Sequence, residues 1–137
     1  MALDVGRKTI GVAVSDPLGM FAQPVETIER VGTKKDLARV AELVAEREVD
    51  TIVVGLPIQL NGEEGDSAKL ARGLAEKIPE LVGDVRVVFQ DERMTTSQAE
   101  RVLIQGNVRR KKRKKVIDQM AAVLILQSYL DGGAPSL

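Results

Sequence analysis

Short apolar segments alternate with turn residues over the first thirty positions, and this pattern predicts three strands. The strands are expected at Ala2 to Val5, Ile10 to Ser15 and Phe21 to Glu29. Gly6-Arg7-Lys8 separates the first two, and Asp16-Pro17 ends the second. Because both connections are short, we expect the three strands to pair as an antiparallel meander.

From Lys34 onward the apolar residues take up helical spacing and alternate with compact β-branched segments. The first helical stripe is formed by Leu37, Val40, Ala41 and Val44. The predicted elements are, in order, a helix from Lys34 to Glu48, a strand from Thr51 to Val54, a helix from Ala68 to Ile78, a strand from Val85 to Gln90, a helix through Val102 and Leu103 after a capping box at Ser97 and Glu100, and a last helix from Val116 to Leu130.

The resulting order, β-β-β-α-β-α-β-α-α, is typical of an α/β fold. Strands that alternate with helices are joined by right-handed crossovers and lie parallel. We therefore expect a mixed five-stranded sheet, with three antiparallel strands followed by parallel strands and with helices on both faces. At 137 residues the chain has the length of one domain, spanning residues 1–137. A loop is expected at Gln59 to Gly65. A second loop is expected at Gly106 to Lys115, because the like charges of its basic residues repel one another.

The chain contains no cysteine and no histidine. This excludes disulfides, thiol nucleophiles, histidine bases and ordinary zinc sites. Catalysis would therefore depend on carboxylates, hydroxyl groups, Lys, Arg, Tyr129, or a metal ion held by oxygen atoms. No apolar segment is long enough to cross a bilayer and no signal peptide precedes the first strand, so a cytoplasmic protein without a membrane partner is expected.

Positive charge is concentrated in seven consecutive basic residues. The chain has 20 basic and 20 acidic residues, so outside this segment 13 basic residues are set against 20 acidic ones. The basic segment consists of Arg109, Arg110, Lys111, Lys112, Arg113, Lys114 and Lys115. Such local charge predicts a contact with phosphates at one place, although basic segments are often only solvated loops. With only three aromatic residues in the chain, recognition by stacking many bases is not expected.

Asp4 lies in the first predicted strand, two residues before Gly6. An acid in an apolar strand is costly to bury without a partner. A metal ion would remove this cost, and so would a cation such as Lys8. The alternative is a carboxylate at a strand end that accepts hydrogen bonds from the amides of the turn.

Asp91 and Glu92 follow the last predicted strand, where an α/β sheet normally places its ligand. Side chains alternate along a strand, so only one of the two is expected to face the same metal ion as Asp4. Arg93 would contact phosphate or simply neutralise the acids. The alternative is that these acids only complement the dipole of the helix that follows.

Asp118 belongs to an otherwise apolar helical stretch. Ala121, Ala122 and Ile125 follow it at spacings of three, four and seven residues, so all four positions share one helix face. Small residues beside the acid would let the helix approach the sheet closely, which favours a metal ligand. The alternative is an ordinary acid in the first turn of a helix.

Four ordered motifs extend over nearly the whole chain. They are Leu3-Asp4-Val5-Gly6 with Ile10 to Asp16, Val54-Gly55-Leu56-Pro57 with Asn61-Gly62, Asp91 to Thr96, and Asp118 with Ala121-Ala122 and Leu124 to Gln127. Together they resemble the bacterial pre-16S ribosomal RNA nuclease family, also described as a Holliday junction resolvase family (RuvX-like). The resemblance implies an RNase H-like fold and a metal-dependent endonuclease that acts on RNA precursors, on branched DNA, or on both.

The resemblance also implies which residues hold the metal. Asp4, Glu92 and Asp118 match the acidic triad of the family, with Asp91 as the alternative to Glu92. Their oxygen ligands suit Mg²⁺ or Mn²⁺. Many nucleases of the wider superfamily take an acid from the end of the fourth strand, whereas this strand ends in Gly55-Leu56-Pro57, with no acid. The second ligand would therefore come from the fifth strand.

The nucleic acid would be held by Arg93 and by the basic segment, which fix the backbone but carry little sequence information. Two alternatives to a pre-16S rRNA nuclease stay open. The protein could resolve DNA four-way junctions, which normally needs a symmetric dimer, or it could be a non-catalytic RNA-binding factor of ribosome assembly. The expected partners are accordingly precursor rRNA, branched DNA or pre-ribosomal particles, and both a monomer and a homodimer are compatible with the sequence.

Overall fold

The computed structural model describes residues 1–57, 64–91 and 110–132, the last range with its side chains from Met120 onward. Its elements are β1 (Ala2–Val5), β2 (Thr9–Ser15), β3 (Ala22–Glu29), α1 (Thr33–Glu46), β4 (Thr51–Leu56), α2 (Asp66–Leu81), β5 (Arg86–Asp91) and α3 (Arg110–Gly132).

The five strands form one mixed sheet in the order β3-β2-β1-β4-β5. β1, β2 and β3 pair antiparallel, because tight turns connect them. β4 pairs parallel with β1, and β5 pairs parallel with β4, because helices carry the chain back between them. The predicted arrangement of three antiparallel strands followed by parallel strands is confirmed. β1, β4 and β5 end at the same edge of the sheet, which we call the carboxyl edge.

One face of the sheet is covered by α1 and α2. Large aliphatic side chains fill this layer and are almost fully buried. From the sheet they include Leu3, Ile10, Val12, Ile52, Val54 and Leu56, and from the helices Leu37, Val40, Leu43, Leu74 and Ile78. These residues repeat every second position on the strands and every third or fourth on the helices, because one side of each element is buried. From the first predicted helical stripe, Leu37 and Val40 lie in this core.

The other face is covered by α3, which contacts all five strands and β2 and β3 most extensively. This layer is built around smaller side chains: Ala2, Ala13 and Val53 from the sheet, with Ala122, Ile125 and Leu126 from the helix. Helices therefore lie on both faces, as predicted. Alanine at the contact lets a helix come close to the sheet, so α3 packs against it, mainly over β2 and β3.

The last helix begins at Arg110, six residues before the predicted start at Val116. The prediction of a loop from Gly106 to Lys115 is therefore wrong for residues 110–115. Arginine and lysine are good helix formers, and helical geometry turns successive charges about 100° apart around the axis. Helix growth is also cooperative, so a helix fixed by its buried C-terminal half extends at little cost.

Two predicted features lie outside the described residues. They are the helix through Val102 and Leu103 with its capping box, and the larger part of the loop from Gln59 to Gly65. Within the described ranges, no helix is both long and apolar enough to cross a membrane.

Candidate active site

Asp4 lies in the middle of the sheet, because β1 is flanked by β2 on one side and by β4 on the other. It pairs with Gly11 on β2, and Gly11 pairs in turn with Thr27 on β3. On the other side, the parallel register of β1 and β4, continued by one residue, places Gly55 beside Asp4. Gly55 pairs with Gln90 on β5. We call these five residues the Asp4 row.

The Asp4 row lies on the sheet face that α3 covers. Ala2 and Ala13 belong to that face, and alternation along β1 and β2 puts Asp4 and Gly11 on it as well. Asp4 is partly exposed, whereas the other residues of β1 are buried. Gly11 and Gly55 carry no side chains, so within this row neither adjacent strand places a side chain beside the Asp4 carboxylate.

Thr27 adds a second polar side chain to the row. Its Oγ1 is buried and, within the described part of the chain, it has no hydrogen-bond partner. A buried hydroxyl without a partner costs about 1–3 kcal/mol. Thr27 lies two strands from Asp4, roughly 10 Å away, with only Gly11 between them. The layer under the first half of α3 is thus polar along this row, in contrast to the aliphatic layer on the opposite face.

The register of β5 determines the face of the sheet on which Asp91 lies. Asp91 pairs with Leu56, and Leu56 belongs to the core under α1 and α2. The preceding residue, Gln90, belongs to the Asp4 row. The register therefore puts Asp91 on the face opposite to Asp4. Glu92, the next residue along, lies outside the described residues, and so does Arg93.

Gln127 fixes the direction of α3 across the sheet. Its side-chain Oε1 accepts a hydrogen bond from the backbone N–H of Ala22 at 2.9 Å, and its Nε2 donates to the carbonyl of Met20 at 3.0 Å. Both partners lie where β3 begins, at the edge opposite to the carboxyl edge. The C-terminal half of the helix is therefore anchored far from Asp4, and its N-terminal half runs toward the carboxyl edge.

This direction brings position 118 to the level of the Asp4 row. Asp118 and Gln127 are nine positions apart in the helix, a rise of about 13.5 Å. On β2, Gly11 and Ser15, which pairs with Ala22, are four positions apart, about 13 Å. By this comparison the backbone of Asp118 reaches about the level of the Asp4 row.

The same helix excludes one of the two interpretations of Asp118. Ala121, Ala122 and Ile125 are buried against the sheet, so the helix face predicted from the sequence is confirmed. Because α3 begins at Arg110, its first turn contains no acidic residue. The interpretation of Asp118 as a first-turn acid is therefore wrong. The side chains of residues 110–119 lie outside those that the structure describes.

The basic segment occupies the start of α3, from Arg110 to Lys115, while Arg109 lies outside the described residues. Arg110 and Asp118 are eight positions apart in the helix, a rise of about 12 Å. Since Asp118 is level with the Asp4 row, these first turns extend past the carboxyl edge. The basic residues are therefore carried on the first turns of the helix that covers this face of the sheet.

The candidate ligands are of a kind that binds a hard cation. Asp4, Glu92 and Asp118 all carry carboxylates, which Mg²⁺ and Mn²⁺ prefer. Within the described residues, no three acidic side chains are grouped closely enough to hold a metal ion. Of the three candidate ligands, only Asp4 has a described side chain.

Sequence reasoning missed a buried ion pair near this edge. Arg30, at the end of β3, donates from Nε to Asp36 Oδ2 at 3.2 Å, and the side chain of Asp36 is 0% exposed. Asp36 Oδ1 also accepts a hydrogen bond from the backbone N–H of Val31 at 3.1 Å. A signal was present, because Asp36 precedes the buried residues Val40 and Leu43 at helical spacing. A carboxylate on an apolar stripe indicates a buried partner.

A cleft of about 600 Å³ lies at the opposite edge of the sheet. Its lining includes the acids Asp16, Glu48 and Asp50. Asp16 already accepts hydrogen bonds from the backbone amides of Met20 and Phe21, at 2.8 and 3.3 Å. Its carboxylate therefore caps the β2–β3 turn, and the cleft shares no residue with the Asp4 row.

Comparison with known proteins identifies close relatives. A relative from Lactococcus lactis subsp. cremoris (strain MG1363), named "Putative pre-16S rRNA nuclease", is 52% identical over 139 residues, covering 100% of this chain and 96% of that protein. A relative of the same name from Listeria innocua is 55% identical over 133 residues, covering 96% of each chain.

Solved structures share the fold at much lower identity. RuvC of T. thermophilus, in complex with a Holliday junction substrate, superposes with a TM-score of 0.55 at 19% identity, covering 98% of this chain and 95% of that one. The resolvase of fowlpox virus, in complex with Holliday junction DNA, gives a TM-score of 0.54 at 14% identity, covering 97% of both chains. The mixed sheet and its helices therefore form the RNase H-like fold of these resolvases.

The sequence profile of the RuvX family, described as Holliday junction resolvase, matches residues 1–132. Both this match and the relatives at 50% identity or more extend over almost the whole chain. The chain therefore belongs to the RuvX Holliday junction resolvase family.

Proposed function

We propose that this protein is a metal-dependent endonuclease that hydrolyses phosphodiester bonds during maturation of the 5′ end of pre-16S rRNA. The observation that carries the proposal is the position of Asp4. Its carboxylate lies in the central strand at the carboxyl edge, between two glycines, under the part of α3 that contains Asp118. The carboxyl ends of parallel strands are where α/β sheets place their ligands.

Asp4, Glu92 and Asp118 would hold one or two Mg²⁺ or Mn²⁺ ions. Such ions activate a water molecule as the nucleophile and stabilise the leaving 3′ oxygen. Asp91 is the weaker candidate, because its register puts it on the face opposite to Asp4. With no histidine in the chain, these carboxylates would also take up the proton released from the attacking water.

The basic segment would hold the backbone of the substrate over this edge. Its residues from Arg110 to Lys115 are in the first turns of α3, which extend past the Asp4 row. Cations placed there contact phosphates of any sequence, so they contribute affinity and orientation rather than specificity. Arg93, close to Glu92 along the chain, would add a contact near the scissile phosphate.

The names of the relatives favour precursor rRNA as substrate, since several at 50–55% identity are named as pre-16S rRNA nucleases. Branched DNA is the second candidate, favoured by the family description and by the resolvases that share the fold. Symmetric cutting of a four-way junction requires two active sites, and hence a dimer. The mass of the protein in solution, with and without a junction, therefore distinguishes the two candidates.

The proposal is tested by comparing the parent protein with Asp4→Asn on a precursor rRNA fragment and on a four-way DNA junction, with Mg²⁺ or Mn²⁺. We expect cleavage to fall by about 100-fold or more, since even changes outside the ligand shell of metal sites cost 10–100-fold. Asp84→Asn is the matched control, because Asp84 is exposed at the opposite edge. An Asp4→Asn variant that cleaves at the parental rate would refute the role of Asp4, and RNA binding without cleavage by the parent would favour an assembly factor.

A further inference from the structure

The turn between β1 and β2 is a short, closed structure at the carboxyl edge. It begins with Gly6, two residues after Asp4, and the Gly6 N–H donates to the carbonyl of Thr9 at 2.8 Å. Between them, Arg7 and Lys8 are both exposed. The turn therefore presents two adjacent cations beside the Asp4 row, on a part of the chain far in sequence from the basic segment.

Arg30 donates two hydrogen bonds to backbone carbonyls of this turn. Its backbone N–H donates to the carbonyl of Lys8 at 2.8 Å, and its Nη1 donates to the carbonyl of Gly6 at 3.2 Å. The guanidinium is itself fixed by Asp36, through the contact of 3.2 Å, and its side chain is only 13% exposed. A buried ion pair is costly to desolvate, and here its hydrogen bonds fix the backbone of a surface turn.

Within the described residues, the charged groups of Arg7 and Lys8 take part in no strong ion pair. Arg7 lies 3.9 Å from Asp66, but the two side chains are 76% and 82% exposed, and an exposed pair of this kind contributes little. Lys8 takes part in none of the ion pairs among the described residues. Both cations can therefore bind an anionic partner without breaking a strong interaction.

We propose that the β1–β2 turn is a second contact for the nucleic-acid backbone, with Arg7 and Lys8 binding phosphates of the strand that passes Asp4. This inference rests on the proposed function, because it takes the substrate to lie along the carboxyl edge. A rigid turn lowers the entropic cost of the contact. The basic segment reaches the edge from α3 and the turn reaches it from the sheet, so the backbone is held from two sides of the Asp4 carboxylate.

The test measures binding of a labelled RNA duplex and of a four-way DNA junction, in EDTA so that no metal-dependent cleavage takes place. Arg7→Gln/Lys8→Gln is compared with the parent across a series of salt concentrations. If each cation neutralises one phosphate of a duplex, the log–log salt slope shrinks by about 2 units and affinity falls about tenfold or more at low salt. The matched control is Lys77→Gln/Arg86→Gln, which removes one lysine and one arginine that are exposed on the second half of α2 and at the start of β5.

Parental affinity and salt slope in the Arg7→Gln/Lys8→Gln variant would overturn this inference, and so would an equal loss in the control, which would indicate only a general effect of net charge. Neither result bears on metal-dependent cleavage, which Asp4→Asn tests separately. The nucleic-acid contact would also be refuted if the Arg7→Gln/Lys8→Gln variant bound both nucleic acids as the parent does but no longer bound an acidic protein that the parent binds.

Discussion

The two faces of the sheet are built differently, although the same five strands form both. The face under α1 and α2 carries leucine, isoleucine and valine in successive rows. The face under α3 carries Ala2, Ala13 and Val53, and next to them the Asp4 row with its two glycines. Large side chains on the first face form an aliphatic core, whereas small side chains on the second let a helix approach the strand that carries a carboxylate.

This difference separates the part of the molecule that stabilises the fold from the part that is available for chemistry. Burial of aliphatic side chains is the main favourable contribution to folding, and most of it lies under α1 and α2. A carboxylate in that layer would be costly, as the buried Asp36 illustrates by requiring Arg30 as a partner. On the second face, Asp4 stays partly exposed.

The largest effect is expected from Ile52→Ala, on the aliphatic face. Ile52 is 0% exposed, and truncation of such a residue costs about 2–5 kcal/mol of unfolding free energy. Denaturant unfolding measures this loss. The rate of cleavage per folded molecule should stay at the parental value, because Ile52 lies on the side of the sheet away from Asp4. A drop in that rate at unchanged stability would contradict the division of roles between the faces.

An intermediate effect is expected from Gly55→Val, in the Asp4 row. The new side chain would occupy the space beside the Asp4 carboxylate, so cleavage should fall by about 10–100-fold, as for other changes around a metal site. Stabilisation by Mn²⁺ should fall in parallel. Gly55 suits this test better than Gly11, because α3 contacts β4 less than β2 and packing of the helix is disturbed less. Parental cleavage together with parental stabilisation by Mn²⁺ would show that the row is not the metal site.

The smallest effect is expected from Asp118→Asn in the absence of metal. If Asp118 is a ligand, its charge is repelled by the other acids when no metal is bound, so the variant should unfold at an equal or slightly higher temperature in EDTA. A change on the order of 1 kcal/mol corresponds to a few degrees in a domain of this size. Addition of Mn²⁺ should then stabilise the variant less than the parent.

Thermal unfolding across a Mn²⁺ titration decides this last comparison. A variant that is less stable than the parent in EDTA, and that gains as much from Mn²⁺, would remove Asp118 from the ligand set. Asn is close to Asp in size, and position 118 lies well inside α3. The substitution is therefore not expected to change the packing or the capping of the helix, so neither effect should imitate either result.

The sequence by itself determined the order of the described elements and which face of α3 is buried. Short apolar segments bounded by turn residues identified all five strands, and helical spacing identified α1, α2 and the buried face of α3, because burial of one side of a helix imposes that period. Spacing also grouped Asp118 with Ala121 and Ala122. The family was recognised from short motifs alone. Most of these motifs contain a candidate site residue together with its neighbours in sequence, so they can be identified even though they are far apart along the chain.

Only the tertiary structure decided which residues lie side by side across the sheet. No local pattern indicates that Asp4 lies between Gly11 and Gly55, or that Asp91 falls on the opposite face, because register depends on pairing between segments up to fifty residues apart. The extent of α3 was also misjudged, since charge repulsion along Arg110–Lys115 is local whereas the helix is fixed by burial further along. The anchoring of the β1–β2 turn by Arg30 likewise arises only when β3 folds back beside β2, which brings a guanidinium within reach of the Gly6 carbonyl.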